Sequence, residues 1–308
     1  MKQKVNILLA GGGAGDLLCA LVAVDYNIRH YDNCTFYTYV PDYLLEFARH
    51  VLPNEAIVRS YTKAKSKYDA SLPGVTTQWN NSFHTAMRTH PLDYSFHVLT
   101  DKHIYDINEK NYLKINPERI HIERFELPEK YVVFACAAVV PVKEIPVSTM
   151  NQIIDYVLAK GYVPVFLGKT FAHTGYGDVA IQASPIDINF NKGFNLLNKT
   201  SLLEAAKIIH GAKAFIGADG GLMHLAGFTD TEILASFTLA SPTHLAPIRN
   251  GSQTYKFHAI EPDDMSGKYY QTNTNFNFDE DMRFFDGWEK VRDSITADKF
   301  IKVLEEIL

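Results

Sequence analysis

Apolar and polar positions along this chain alternate between short unbroken apolar runs and stripes at helical spacing. Residues 4–10 (KVNILLA), apolar but for Lys4 and Asn6, predict a buried strand and lead into GGGAGD at 11–16. From Leu17 to Arg29 the apolar residues recur every three to four positions, which predicts a helix. A second strand is predicted over 35–40, a helix over 43–51 and a short third strand over 56–60, completing a β-α-β rhythm. Residues 62–125 are rich in His, Tyr, Asn and Thr and weakly periodic. One or two helices fit within 82–99, and the region is a candidate substrate surface.

Near residue 128 the pattern starts afresh. LPEKYVVFACAA (127–138) reads as a strand, 148–160 as a helix and 162–168 as a strand. A helix over 201–210, a strand over 213–218, a helix over 222–228 and a strand over 232–239 follow. The charged segment NPERIHIERFELPE at 116–129, with a proline near each end, reads as the linker. The fold class is therefore α/β, with two open halves built on parallel sheets that face a central cleft. The units run 1–125 and 126–285, with a final segment at 286–308. Residues 294–308 carry apolar side chains at 300, 301, 303, 304, 307 and 308, an amphipathic last helix. It either caps the second sheet or packs back toward the N-terminal unit.

Composition narrows the picture. A chain of 308 residues with 46% hydrophobic and 12% aromatic content can bury two cores. A net charge of −5 supplies no global attraction to nucleic acid. Cys19, Cys34 and Cys136 are odd in number and far apart, with neither metal-site nor disulfide spacing, which fits a reducing cytoplasm. The apolar run at the N-terminus is too short for a secretory signal, and nothing approaches the ~20 apolar residues of a membrane span. The expectation is a cytoplasmic protein, at most peripheral at the inner membrane.

The most informative stretch is FIGADGGLMHLAG at 215–227. An apolar strand breaks at Asp219, turns on Gly220 and Gly221, and restarts as a helix bearing His224. Two glycines let a backbone approach a ligand closely, and the helix start offers N–H groups and a positive dipole end to a phosphate. The same residues also make an ordinary strand-to-helix turn, and His224 taken alone reads first as a satisfied interior histidine, a ligand role becoming comparable only beside Asp219 and the glycines. Asp219 favours a ligand, because open parallel sheets place ligand-contacting groups at strand carboxyl ends. GGGAGD has Asp16 where a dinucleotide fingerprint needs its third glycine, so a dinucleotide cofactor is poorly supported.

Taken in order, four segments resemble glycosyltransferase family 9, the family of lipopolysaccharide heptosyltransferases. GGGAGDLLCALVAV (11–24) is similar to that family's Gly-Asp turn and helix start, with Asp16 on its aspartate. VVPVKEIPVSTMNQIIDYVLAKGYVPVFLG (139–168) resembles its Lys-x-Trp-Pro segment and following helix and strand, with Lys143 on the lysine. NKTSLLEAAKIIHGAKAFIGADGGLMHLAG (198–227) resembles its Lys-x-Ser-Leu helix and Asp-Thr-Gly-x-x-His signature, and SPTHLAPIRNG (241–251) its next loop. Gly220 replaces the signature threonine, Ile145 replaces the tryptophan, and CAAVV at 136–140 replaces small hydroxyl residues.

The resemblance implies the GT-B architecture: two Rossmann-like domains, with a nucleotide-sugar donor on the second and an acceptor on the first. It implies inverting transfer, with no metal and no cofactor beyond a nucleoside-diphosphate sugar as co-substrate. Asp16 is then the base and Lys143 the cation for the leaving diphosphate, while Asp16 also reads as a cap on its own helix and Lys143 as a solvated loop residue. Gly15, Thr200, Ser201, Asp219, Gly220, Gly221 and His224 are then donor-side residues, although Ser201 with Glu204 also makes a capping box. The acceptor is a glycan or lipid-linked precursor. Modified DNA bases are a less favoured acceptor, and a non-catalytic nucleotide-binding protein is the alternative outside enzymes. Asp279 and Asp281 form an Asp-x-Asp pattern outside strand context and read as a solvated loop, and the His and Tyr residues between 83 and 105 as scattered surface residues.

Overall fold

In the computed structural model, residues 3–9, 14–60, 74–76, 113–136, 138, 141–173, 180–182, 187–238, 241–250, 252–263 and 288–308 are described. The helices suggested for 82–99, the His and Tyr residues at 83–105, the turn at 11–13 and the Asp279/Asp281 pattern lie outside them. The first unit carries β1 (Gln3–Leu8), α1 (Ala14–His30), β2 (Cys34–Val40), α2 (Asp42–Val51), β3 (Ile57–Ser60) and β4 (Gly74–Thr76). They form a parallel sheet of order β3-β2-β1-β4. Helix α1 begins at Ala14 rather than Leu17, so Asp16 sits inside its first turn. An acidic residue there still suits the helix dipole.

The second unit begins at β5 (Tyr131–Ala135), where all five residues are buried, as an unbroken apolar run requires when a strand is covered on both faces. Then come α3 (Val147–Ala159), β6 (Val163–Leu167), a hairpin of β7 (Phe171–His173) and β8 (Ala180–Gln182), and β9 (Phe194–Asn195). After them follow α4 (Leu202–Gly211), β10 (Ala214–Ala218), α5 (Gly221–Ala226), β11 (Glu232–Ser236), α6 (Pro242–Leu245) and β12 (Phe257–Ile260). The second sheet is parallel, of order β12-β11-β10-β5-β6-β9. Both outer strands escape the sequence pattern. β9 is only two residues long, and β12 keeps half-exposed His258 and Ala259 at its centre.

The chain ends with α7 (Trp288–Asp293) and α8 (Ala297–Ile307). Among the described residues, helix α8 packs on α3 and covers the second sheet. Ile295, Ala297, Phe300 and Leu304 share one apolar cluster with Ile153, Ile154 and Val157 of α3, and Thr149 Oγ1 donates to Ile295 O at 2.9 Å. Phe300 and Leu304 are fully buried, worth about 2–3 kcal/mol each. Among the described residues no helix is long and apolar enough to cross a membrane.

The two units share a second apolar cluster. Leu17 and Leu21 of α1 and Phe47 of α2 join Leu203 and Ile209 of α4, Leu225 of α5, and Phe228. Phe47 meets Phe228 edge-on, with centroids 5.3 Å apart. The linker is fastened to the second unit. Ile115 and Ile120 are buried, Ile115 N donates to Phe228 O at 3.1 Å, Lys114 pairs with Asp230 at 2.8 Å, and Lys207 Nζ donates to Pro117 O at 2.7 Å. Asn116 N donates to His50 Nε2 of α2 at 3.2 Å, a tie back to the first unit.

At the edge of the second sheet where β11 and β12 begin, Arg249 is 2% exposed. Its Nη1 donates to the Thr229 and Thr231 carbonyls at 3.1 and 2.8 Å, and its Nη2 to the Tyr255 and Lys256 carbonyls at 2.6 Å each. Four carbonyl bonds hold the two segments entering these strands together.

Candidate active site

Lys143 and Asp219 lie 76 positions apart in the chain and meet at the carboxyl end of the second sheet. Lys143 closes the 3-10 turn Pro141–Lys143 after β5, and Asp219 follows the last residue of β10. The turn is fixed from two sides: Thr238 Oγ1 donates to Val142 O at 2.6 Å, and α7 packs against it. Asp219 N donates to Ser236 O at 3.0 Å, extending the β10–β11 ladder one residue beyond the strand. The two side chains form an ion pair, Nζ to Oδ2 at 2.6 Å, with 23% of Lys143 and 5% of Asp219 exposed. A buried carboxylate needs such a partner, because removing it from water costs several kcal/mol. Lys143 is thus neither a solvated loop residue nor an unpaired cation. Beside it, burial pushes the Glu144 carboxyl above its ordinary range, with Arg292 acting the other way.

Gly220 and Gly221 follow directly. Gly220 is extended, φ −178° and ψ −176°, and no side chain caps α5 there. Its glycine is not demanded by the backbone. Among the described residues, a Cβ at Gly220, the position the resemblance gives to threonine, would find only Ala218 O, at 3.9 Å. Gly221 faces α1: its Cβ would stand 3.3 Å from Ala14 Cβ and 3.7 Å from Gly15 N. The starts of α1 and α5 are therefore in direct contact across the two units.

His224 is the centre of that contact and is 6% exposed. Its ring lies against Gly15, where a Cβ would fall 2.5 Å from Cδ2 and 3.2 Å from Nε2, so only glycine leaves room for the imidazole. Its Nδ1 is 3.6 Å from Cys19 Sγ. Burial pushes the ring pKa down to about 4; Asp219 opposes the shift and Lys143 adds to it. The imidazole is neutral near pH 7 and acts as a dipolar group rather than a cation.

Thr200 and Ser201 precede α4. Ser201 Oγ accepts from Glu204 N at 3.2 Å, and Ser201 N donates to Glu204 Oε2 at 2.8 Å, a complete capping box. Arg124 of the linker grips both oxygens of Glu204 at 2.6 Å each and donates to Lys199 O at 2.8 Å. That guanidinium holds the Glu204 carboxyl below its usual range.

Lys143, Asp219, Gly220, Gly221, His224 and Gly15 thus come together at one place, and Asp16 follows Gly15 in the chain, its side chain outside the described set. Ser201 and Thr200 stand at the separate start of α4. Cys19 and Arg124 are the residues the sequence reading missed. Cys19 occupies an ordinary apolar helix position, and Arg124 lies in a charged segment; neither carries a local signal. Among the described residues no group of three or more His, Cys, Asp or Glu side chains is arranged to hold a metal ion.

The chain matches the model of glycosyltransferase family 9 (heptosyltransferase) over residues 57–264. Lipooligosaccharide heptosyltransferase 2 of Haemophilus influenzae is 24% identical over 177 residues, 53% of this chain and 51% of that protein. Lipopolysaccharide heptosyltransferase 2 of Salmonella typhimurium is 23% identical over 136 residues, 43% of this chain and 38% of that protein. The chain spans about half or less of the length of these curated relatives. The structure of the iron-containing dodecameric glycosyltransferase TibC from enterotoxigenic E. coli superposes with a TM-score of 0.70 at 16% identity, over 100% of this chain and 77% of that one. E. coli ADP-heptose lipopolysaccharide heptosyltransferase II gives 0.59 at 15% identity, over 98% and 100%. The architecture is GT-B, and with the family model covering most of its length the chain belongs to glycosyltransferase family 9.

Proposed function

We propose that the protein is an inverting glycosyltransferase that moves a sugar from a nucleoside-diphosphate donor to a hydroxyl of a glycolipid or polysaccharide precursor. The observation that carries this reading is the Lys143–Asp219 pair beside the uncapped Gly220–Gly221 start of α5. A diphosphate leaving group needs a cation and N–H dipoles already aimed at it, and this is where the described residues offer both. The TibC neighbour was solved with ADP-D-β-D-heptose, and the curated relatives are named as heptosyltransferases, which makes an ADP-heptose the first donor to try.

In the proposed reaction the acceptor oxygen attacks the anomeric carbon as Asp16 takes its proton. The bond to the diphosphate oxygen breaks on the opposite side, and the electron pair leaves with the diphosphate toward Lys143 and the α5 start. Asp219 holds the lysine in place, and Gly220, Gly221 and His224 border the phosphates, while Thr200 and Ser201 belong to the self-capped start of α4. The reaction requires no metal or cofactor, and the work is done in the cytoplasm or at the inner face of the membrane.

The test is transfer or hydrolysis with ADP-, GDP- and UDP-sugars, each with and without EDTA. A donor-dependent thermal shift and product formation that survive EDTA are expected, and silence with every donor would sink the reading. Asp16→Ala is expected to bind nucleotide normally and lose transfer. A second reading, nucleotide binding without catalysis, draws on Gly220, which offers no hydroxyl to a ligand. Wild-type transfer abolished in Asp16→Ala excludes it. Salt-dependent binding of modified DNA would instead favour a DNA acceptor.

A further inference from the structure

Gly15 and Cys19 are four residues apart on α1 and so share one face of that helix. The His224 ring, brought by α5 of the other unit, rests on that face. Gly15 provides room at its Cδ2 and Nε2 edge, and Cys19 stands 3.6 Å from Nδ1. Cys19 and His224 are 7% and 6% exposed, so solvent does not decide how the ring is protonated.

A neutral imidazole has one N–H and one lone pair, and the partner of one nitrogen decides where the proton sits. A thiol proton directed at the imidazole lone pair joins a donor to a good acceptor. The reverse, an N–H directed at the thiol sulfur, uses a weak acceptor. A thiolate–imidazolium pair would put two charges into a seam of apolar side chains, at a desolvation cost of several kcal/mol per ion.

We propose that Cys19 is a positioning residue of the donor site: its thiol donates to His224 Nδ1 across the seam and holds the ring proton on Nε2. The loop that carries Asp219, Gly220 and Gly221 is thereby given a neutral N–H donor whose direction is set from the first unit. His224 follows Gly221 by three residues on α5, and Gly221 itself lies against Ala14 and Gly15 of α1, so the ring sits directly behind that loop. The assignment rests on the donor-site reading of that loop, and it makes α1 part of how the loop is tuned.

The test is nuclear magnetic resonance on the whole protein with 15N-labelled histidine rings, the His224 signals being assigned by their loss in His224→Gln. A neutral ring protonated on Nε2 is expected at pH 7 in the wild type and in Cys19→Ser, which keeps a hydroxyl donor. Cys19→Val is expected to shift the ring toward the Nδ1–H form. ADP affinity should fall about three- to tenfold in Cys19→Val and recover in Cys19→Ser. A wild-type ring protonated on Nδ1 overturns the proposal, and that spectrum decides even where Cys19→Val fails to fold. A Cys19→Val tautomer identical to the wild type overturns it as well. The expected tautomer in a wild-type protein that binds no ADP overturns the donor reading alone, and with it the role assigned to the tautomer.

Discussion

Helices α4 and α5 belong to the same unit, yet their first turns are finished in opposite ways. At α4, Ser201 and Glu204 satisfy each other's backbone donors, and Arg124 locks the glutamate from outside. At α5, among the described residues, no side chain caps the turn and a Cβ at Gly220 would meet only Ala218 O, while His224 packs against α1 behind the turn. A helix start that completes its own hydrogen bonds has little left to offer a ligand; one left bare beside a positioned lysine is a poor element of stability and a good anion cradle. The contrast separates a self-satisfied helix end from the one proposed to meet the donor within a single sheet.

Breaking the α5 side should have the largest effect. Lys143→Ala leaves the Asp219 carboxylate buried without its partner, so a destabilisation of about 3–5 kcal/mol is expected in denaturant unfolding. Transfer should fall about 10²–10³-fold, and Asp219→Asn should recover part of the stability of that variant but none of its rate. If Lys143→Ala retains wild-type turnover, the bare helix start is not the leaving-group site.

Next comes pH. The His224 pKa of about 4 in the folded chain lies below the ordinary 6.5, so between these values the unfolded chain takes up a proton that the folded chain refuses. Stability therefore falls as pH drops from 6.5 toward 4, by about 3 kcal/mol in total, and this contribution is flat outside the window. His224→Gln should remove that slope from a plot of unfolding free energy against pH. An unchanged slope would mean that the ring is not buried in the seam.

Smaller changes refine the comparison. Gly15→Ala drives a methyl into the His224 ring and is expected to cost about 1–3 kcal/mol by chemical denaturation. Ser201→Ala should cost about 1 kcal/mol through loss of the cap while leaving the donor KM alone. A KM that rises more than the stability falls would make α4 a ligand-facing end after all. Gly220→Thr, at an extended and open position, should change stability by less than about 0.5 kcal/mol, with its effect confined to donor affinity measured by calorimetry.

Elements whose burial is two-sided or sharply periodic were legible in the sequence. β5 and β10 are unbroken apolar runs, β11 has an apolar centre of Ile233, Leu234 and Ala235, and α2 and α8 carry clean stripes. The edge strands were not, because a two-residue β9 and a β12 with half-exposed residues at its centre leave no pattern to read. The site divides the same way. Asp219, Gly220, Gly221 and His224 are contiguous and announce themselves, whereas the pairing of Lys143 with Asp219, and of Cys19 with His224 across 205 positions, exists only once the sheets are stacked. Even the direction of the last helix is a tertiary fact: an amphipathic stripe says that a face will be covered, and only the apolar surface of α3 says by what.

Arg249 shows how the frame behind the site is secured. A guanidinium ringed by four main-chain carbonyls does at a loop junction what a bound metal ion does elsewhere, but it is tethered to the chain. It can be neither exchanged for another ion nor stripped by a chelator. At this junction, then, loss of activity in EDTA could not be put down to the sheet coming apart, and such a loss would point back to the chemistry of transfer.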